Sequence, residues 1–262
     1  MSLPHTWKEV CASKAAMLGL KRYAFRREYH AARLATAGFS NIELIDSFDG
    51  FHEDVEGTLK TLGLQFHSEI GLGHIGCFVS HFRIWKQMVD ENIPYRIIFE
   101  DDALGHLDLP NGLGQRFWDA TPKKFDIVYF GNMMNQNDPA LNDSNALVVK
   151  VPTYTTHAYI ITLEGAKKLL YLTAEICQNG QHLTALDIQM IQWQIQGELN
   201  WHCWNGTWIQ KCFPTFDEGL PWQAFPDIIL PQKDTGLFWQ NMRVGTTLDY
   251  PTLQLTIPQY GR

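Results

Sequence analysis

Tyr95-Arg96-Ile97-Ile98-Phe99-Glu100-Asp101-Asp102 follows Pro94 and decides how the rest of the chain is read. Tyr95 and Ile97 to Phe99 are β-branched or aromatic, the profile of a short strand buried on both faces, as in a parallel sheet. Three carboxylates follow with no spacer. Like charges this close repel, and burying them unpaired is costly. Either a positive group sits among them or they stand in water. In open α/β sheets ligands bind in the crevice at the carboxyl ends of the strands. A carboxylate cluster there suits a divalent cation, Mg2+ or Mn2+ rather than Zn2+, and the cation suits a diphosphate. A short acidic run is also commonly a solvated, inert turn. The three residues alone do not separate these readings.

Working outward, Ile75, Phe78, Val79, Phe82, Trp85, Met88 and Val89 recur at the spacing of one helical face. Cys77 and His81 are four apart and share a second face. A histidine there is more often a satisfied core residue than a ligand. The glycines that open this helix permit close backbone approach, where free N–H groups favour anions. Further upstream, Ala15 to Leu20 reads as a first strand, Tyr23 to Ala37 as a helix ended at Gly38, and Ile42 to Ile45 as a second strand. Strand, helix, strand predicts a parallel pair. Arg22, Arg26 and Arg27 fall just past the first strand, where they meet a phosphate or coat a solvated face. Asp46 to Leu72 reads as a turn and a polar loop.

Downstream, the pattern predicts a short helix near Gln115 to Asp119 and strands over 125–130, 147–151 and 155–162. It predicts a helix from Glu164 with Thr162 as N-cap, and a helical piece opening at Leu186. Asp187 then lies in a first turn, where a carboxylate is favoured in any helix. Beyond Gly197 the tryptophans Trp201, Trp204, Trp208, Trp222 and Trp239 crowd a region rich in Pro and Gly. They stack on sugar faces or cover a core edge. The division expected is a lead over 1–14, a sheet domain over 15–200 and an aromatic-rich extension over 201–262 packed on it.

With 262 residues, 45% of them hydrophobic, the chain can bury a sizeable core. A net charge of −7 excludes nucleic acid as the main partner. No apolar run of about 20 residues is present, so no spanning helix is expected, and the first ten residues hold no apolar signal core. Five scattered cysteines without a CxxC pair argue against a disulfide frame or zinc knuckle. The expectation is a reduced, cytoplasmic protein, with peripheral membrane contact left open.

Three segments together resemble glycosyltransferase family 25, which holds lipooligosaccharide galactosyltransferases and collagen galactosyltransferase domains. They are Gly76-Cys77-Phe78-Val79-Ser80-His81 with Trp85, Phe99-Glu100-Asp101-Asp102, and Thr156-His157-Ala158-Tyr159-Ile160 with Gly165-Ala166-Lys167. Weaker matches are Leu20-Lys21-Arg22, Arg26-Arg27, Asp49-Gly50 and Leu186-Asp187. Two departures are the polar lead before Met17 and His74, where the family commonly has Glu.

The resemblance implies an α/β, GT-A-like (Rossmann-like) fold: an open, mostly parallel sheet flanked by helices. It implies a nucleotide-sugar donor, UDP-galactose above all, an inverting transfer to a saccharide or glycolipid acceptor, and Mn2+ or Mg2+. Carried over residue by residue, Glu100 and Asp102 would hold the metal with His202 as third ligand. Leu20, Arg22, Arg26, Asp49, Ser80, His81 and Asp101 would line the donor site, and Asp187 would be the base. The competing expectations are a non-catalytic carbohydrate-binding module of the same fold and a metal-dependent phosphohydrolase.

Overall fold

The computed structural model describes residues 3–105, 109–130, 133–134, 146–154, 156–205 and 238–240. The chain begins with helix α1 (Trp7–Ala12), then runs β1 (Ala15–Gly19), α2 (Ala24–Thr36), β2 (Ile42–Asp46), α3 (Val55–Leu62), α4 (Leu72–Asp90) and β3 (Tyr95–Glu100). There follow β4 (Ala103–Gly105), α5 (Gly114–Ala120), β5 (Ile127–Tyr129), β6 (Met133–Met134), β7 (Val148–Val149) and β8 (Thr153–Tyr154). The last elements are β9 (Ala158–Thr162), α6 (Leu163–Gln178), α7 (Leu186–Ile195), β10 (Trp201–Trp204) and β11 (Phe238–Gln240).

Seven strands form one sheet in the order β2-β1-β3-β9-β5-β10-β7. Pairs β1–β2, β1–β3 and β5–β10 are parallel, while β9 runs antiparallel to both β3 and β5, and β7 antiparallel to β10. Five strands therefore share a direction. The predicted parallel pair of the first two strands is observed, but β3 is parallel on one side only.

Alternation along the strands sorts side chains onto two faces. Ala16, Leu18, Ile98, Tyr129, Tyr159 and Cys203 join the apolar stripe of α4 and the inner faces of α6 and α7. Met17, Ile97, Phe99, Val128 and Ile160 face Trp7 of α1, Leu34 of α2 and the α5 pair Phe117 and Trp118. Each such side chain contributes about 1.5–3 kcal/mol by leaving water. Burial on both faces is why β3 reads as an unbroken apolar run.

Three elements depart from the sequence reading. The lead is not merely polar: Thr6 and Glu9 form a capping box, with Glu9 N–H donating to Thr6 Oγ1 at 3.2 Å and Thr6 N–H to Glu9 Oε2 at 3.3 Å. The loop before α4 contains α3, opened by Asp54, which accepts from Gly57 N–H at 3.0 Å, and closed by Gly63 at φ 69°. The extension expected from residue 201 begins with β10, which is integral to the sheet. Of the rest of that extension, the structure describes only β11, which pairs antiparallel with β4 just past the acidic run. Trp208 and Trp222 lie outside the described residues.

From β1 the chain crosses through α2 to β2 on one side, then through α4 to β3 on the other side of β1. Helix α2 contributes to one core and α4 to the opposite one. The strand order reverses between β1 and β3, and at such a switch point the carboxyl ends of the strands open a crevice. Gly19 and Glu100 are the last residues of those two strands.

Candidate functional site

Glu100, Asp101 and Asp102 at the end of β3 are buried, not solvated. Arg26 of α2, itself buried, lies 2.8 Å from Asp101 Oδ1 and 3.7 Å from Asp102 Oδ2. Gly19 is required here: a Cβ on it would stand 2.5 Å from both Arg27 Cγ and Asp101 Oδ2. Arg27 turns to Asp46 at the end of β2, 2.5 Å away.

Glu100 is held from two sides. Thr156 Oγ1–H donates to its Oε1 at 2.6 Å, and His81 Nε2 lies 3.4 Å from the same oxygen. Burial alone would raise this carboxyl. His81, then Thr156 and His157, outweigh it and hold the group down at about 2. His81 Nδ1 meets the Tyr159 hydroxyl at 2.7 Å, and Trp85 Nε1–H donates to that hydroxyl at 3.1 Å. Cys77, one turn before His81, completes a group in which Cys77, His81 and Glu100 ligand atoms all lie within 4.8 Å of one another. A cavity of about 10 Å³ to a water molecule's centre opens beside them, lined also by Leu20, Phe48 and Ser80.

Two more carboxylates act electrostatically on Cys77. Burial first, then the charges of Glu100, Asp187 and Asp102, push its thiol well up, so it is a neutral S–H. Asp187 is half-buried in the first turn of α7 and accepts from Ile188 N–H at 2.9 Å. Burial raises its pKa, Glu100 adds to the rise, and backbone N–H groups and His74 oppose it. Asp187 is thus a carboxyl near other negative charge, suited to accept a proton.

The other expected residues divide. Leu20 is buried against the cavity. Arg22 Nε–H bonds Asp49 Oδ2 at 2.6 Å, and His52 Nδ1 approaches the same oxygen at 3.1 Å. Burial raises Asp49, but Arg22, His52 and the Phe51 N–H bring it below the ordinary value. Ser80 is committed to the backbone: its Oγ–H donates to Gly76 O at 2.6 Å and its oxygen accepts from Phe48 N–H at 2.9 Å. That bond seats the loop after β2 on α4. A Cβ at Gly76 would lie 2.7 Å from Phe48 O, so the contact needs glycine.

His202 is not brought to the others. It lies on β10 opposite Val128, three strand spacings from β3, about 14 Å. Its neighbours Trp201 and Cys203 belong to the α4 face, so alternation turns His202 to the other. Burial and Lys150 lower its pKa. Sequence reasoning missed Thr156, Tyr159 and the place of Cys77 in the cluster. One signal was available: Cys77 and His81 are an i, i+4 pair on the helix that caps the switch point.

A family model described as glycosyltransferase family 25 (LPS biosynthesis protein) matches residues 13–190. A glycosyltransferase 25 family member of Drosophila melanogaster is 30% identical over 166 residues, 59% of this chain and 27% of that protein. Procollagen galactosyltransferase 1-A of Xenopus laevis is 36% identical over 104 residues, 37% of this chain and 17% of that protein. Human inactive glycosyltransferase 25 family member 3 is 28% identical over 167 residues, 59% of this chain and 28% of that protein. The match to this chain therefore spans about a quarter or less of the length of these curated relatives. Among solved structures, the galactosyltransferase LgtC with donor and acceptor sugar analogs aligns with a TM-score of 0.36 at 13% identity, covering 72% of this chain and 73% of that one.

Proposed function

The chain belongs to glycosyltransferase family 25, and we propose that it is an active, inverting, metal-dependent hexosyltransferase, taking galactose from UDP-galactose to a saccharide or lipooligosaccharide-type acceptor. The observation that carries this is the buried run of Glu100, Asp101 and Asp102 at the switch point of the sheet, with Asp187 near enough that Glu100 raises its pKa. Carboxylates gathered in a site this dry are a donor set for a hard divalent cation. Glu100 and Asp102 would hold Mn2+ or Mg2+, which when bound supplies neutralising charge to the departing diphosphate.

The chain's own residues divide the remaining work. Arg26 keeps Asp101 and Asp102 in place through its shared guanidinium. Arg22 and Asp49 form a rigid pair at the edge of the crevice that offers hydrogen bonds to a base or ribose. Asp187 takes the proton from the acceptor hydroxyl as the new bond forms, a task to which its raised pKa is suited. Ser80 supports the loop carrying Asp49 and lines the cavity beside Glu100.

The test is UDP release from UDP-galactose with Mn2+ and a panel of saccharide acceptors, with other nucleotide sugars as controls. Turnover that chelation abolishes is expected. Because a relative is described as inactive, the informative contrary result is nucleotide-sugar binding with no turnover under any metal. That result, unchanged by Asp187→Asn, assigns a binding module. Failure to bind or turn over any nucleotide sugar sinks both readings. No described helix is long and apolar enough to cross a membrane. Acceptance of a lipid-linked saccharide would place the work at a membrane surface.

A further inference from the structure

The Tyr159 oxygen has two hydrogen-bonding partners among the described residues: Trp85 Nε1 at 3.1 Å and His81 Nδ1 at 2.7 Å. An indole N–H can only donate. Tyr159 is fully buried, and burial keeps its own proton on the oxygen at any ordinary pH. If His81 Nδ1 also carried a proton, the phenol oxygen would receive two N–H groups, and its hydroxyl proton would be left buried without an acceptor. Such orphaned donors are rare and costly. If Nδ1 is bare, the hydroxyl is satisfied: Trp85 donates to Tyr159, Tyr159 donates to His81, and the remaining ring proton sits on Nε2. Nε2 lies 3.4 Å from Glu100 Oε1, a charge–dipole approach rather than a hydrogen bond.

We infer that Trp85 and Tyr159 hold His81 as its Nε2–H tautomer, so that His81 turns a ring proton toward the Glu100 carboxylate and is not itself a metal ligand. Thr156 donates to the oxygen that this proton faces. The spacing of Cys77, His81 and Glu100 would otherwise suit a nitrogen- and sulfur-seeking ion such as Zn2+. A protonated Nε2 removes the nitrogen from that set. Ligation at this corner is then by oxygen, from Glu100 and Asp102, which favours Mg2+ or Mn2+. His81 is a positioning residue. The inference rests on the proposed function only for what Glu100 then holds; the tautomer stands without it.

The test is long-range 1H–15N correlation of the histidine rings in the whole chain, with His81 assigned by the signals lost in His81→Gln. The Nε2–H pattern is expected in metal-free protein and after saturation with Mg2+ or Zn2+, both diamagnetic. A bare Nε2 with a protonated Nδ1, in either state, overturns the inference. A second measurement uses Tyr159→Phe, which removes the hydroxyl that Nδ1 meets. Mixed tautomers and about 10- to 100-fold weaker Mn2+ binding are expected. If Tyr159→Phe folds with the His81 signals unaltered, the relay is refuted. Absence of donor turnover in wild-type protein would count against the glycosyltransferase reading and leave this result untouched.

Discussion

Strand β3 carries buried charge at both ends, and the two ends are built oppositely. At its start, Arg96 is 2% exposed and pairs with Glu43 on β2's side of the sheet, with Gln87 at 3.3 Å. Glu43 is itself 35% exposed and takes Lys14 at 3.0 Å as a second cation. Burial raises Glu43, but Lys14 and Arg96 outweigh it and bring its carboxyl below the ordinary value. One half-wet carboxylate thus answers two cations. At the other end, four to six residues on, Glu100, Asp101 and Asp102 are 4%, 0% and 0% exposed. Arg26 lies against two of the three, and the His81 ring lies against Glu100. The first end is a structural ion pair. The second concentrates negative charge where water is scarce, an arrangement that stability alone does not favour and that a bound cation does.

The contrast makes opposite demands on variants at the two ends. The largest effect is expected for Glu100→Gln: loss of transfer by about 10³-fold, with a lowered thermal midpoint as well, because a carboxyl held at about 2 stabilises the fold in its charged form at neutral pH. Donor-turnover kinetics beside a melting curve check both halves. Next is Asp187→Asn, expected to lower turnover by about 10²-fold with donor binding intact. The wild-type pH profile sharpens this. A base must be deprotonated, and a raised pKa retains its proton to higher pH, so kcat/KM should fall with acidity through a limb lying above 3.8, the ordinary value. The limb should vanish in the variant.

The third prediction moves to the other end. Arg96→Met should leave turnover within about twofold and cost about 1–3 kcal/mol of unfolding free energy, from lost packing and a weakened pair, read by denaturant titration. The smallest is Lys14→Ala, at most about 0.5 kcal/mol, because Lys14 is 56% exposed and solvent screens the pair. If instead Arg96→Met cost turnover and Glu100→Gln spared it, the assignment of roles along β3 would be reversed.

The acidic strand end, the stripe on α4, the parallel β1–β2 pair and the Thr162 cap were legible because each is local. A strand or helix face is written in the spacing of its own residues, and a cap in one turn. Helices α1 and α3 carried equally local signals, Thr6 with Glu9 and Asp54 with Gly63, but at six and eight residues they are too short to show a periodic face. His202 was assigned from chain order alone, and sheet order carried it elsewhere: β10 lies beside β5, not β3.

Chain chemistry alone settled that a buried strand ends in three carboxylates and that arginines follow the first strand. It could not settle which side chains answer them. Thr156 reaches Glu100 across 56 residues, and His81 meets Tyr159 across 78. Those contacts depend on β9 lying antiparallel beside β3, with Ala158 opposite Phe99, and on α4 crossing the same face. A one-residue slip in that register would turn Tyr159 to the opposite face. Pattern specifies faces, but only packing against distant segments specifies neighbours, and the chemistry of this site is made of neighbours.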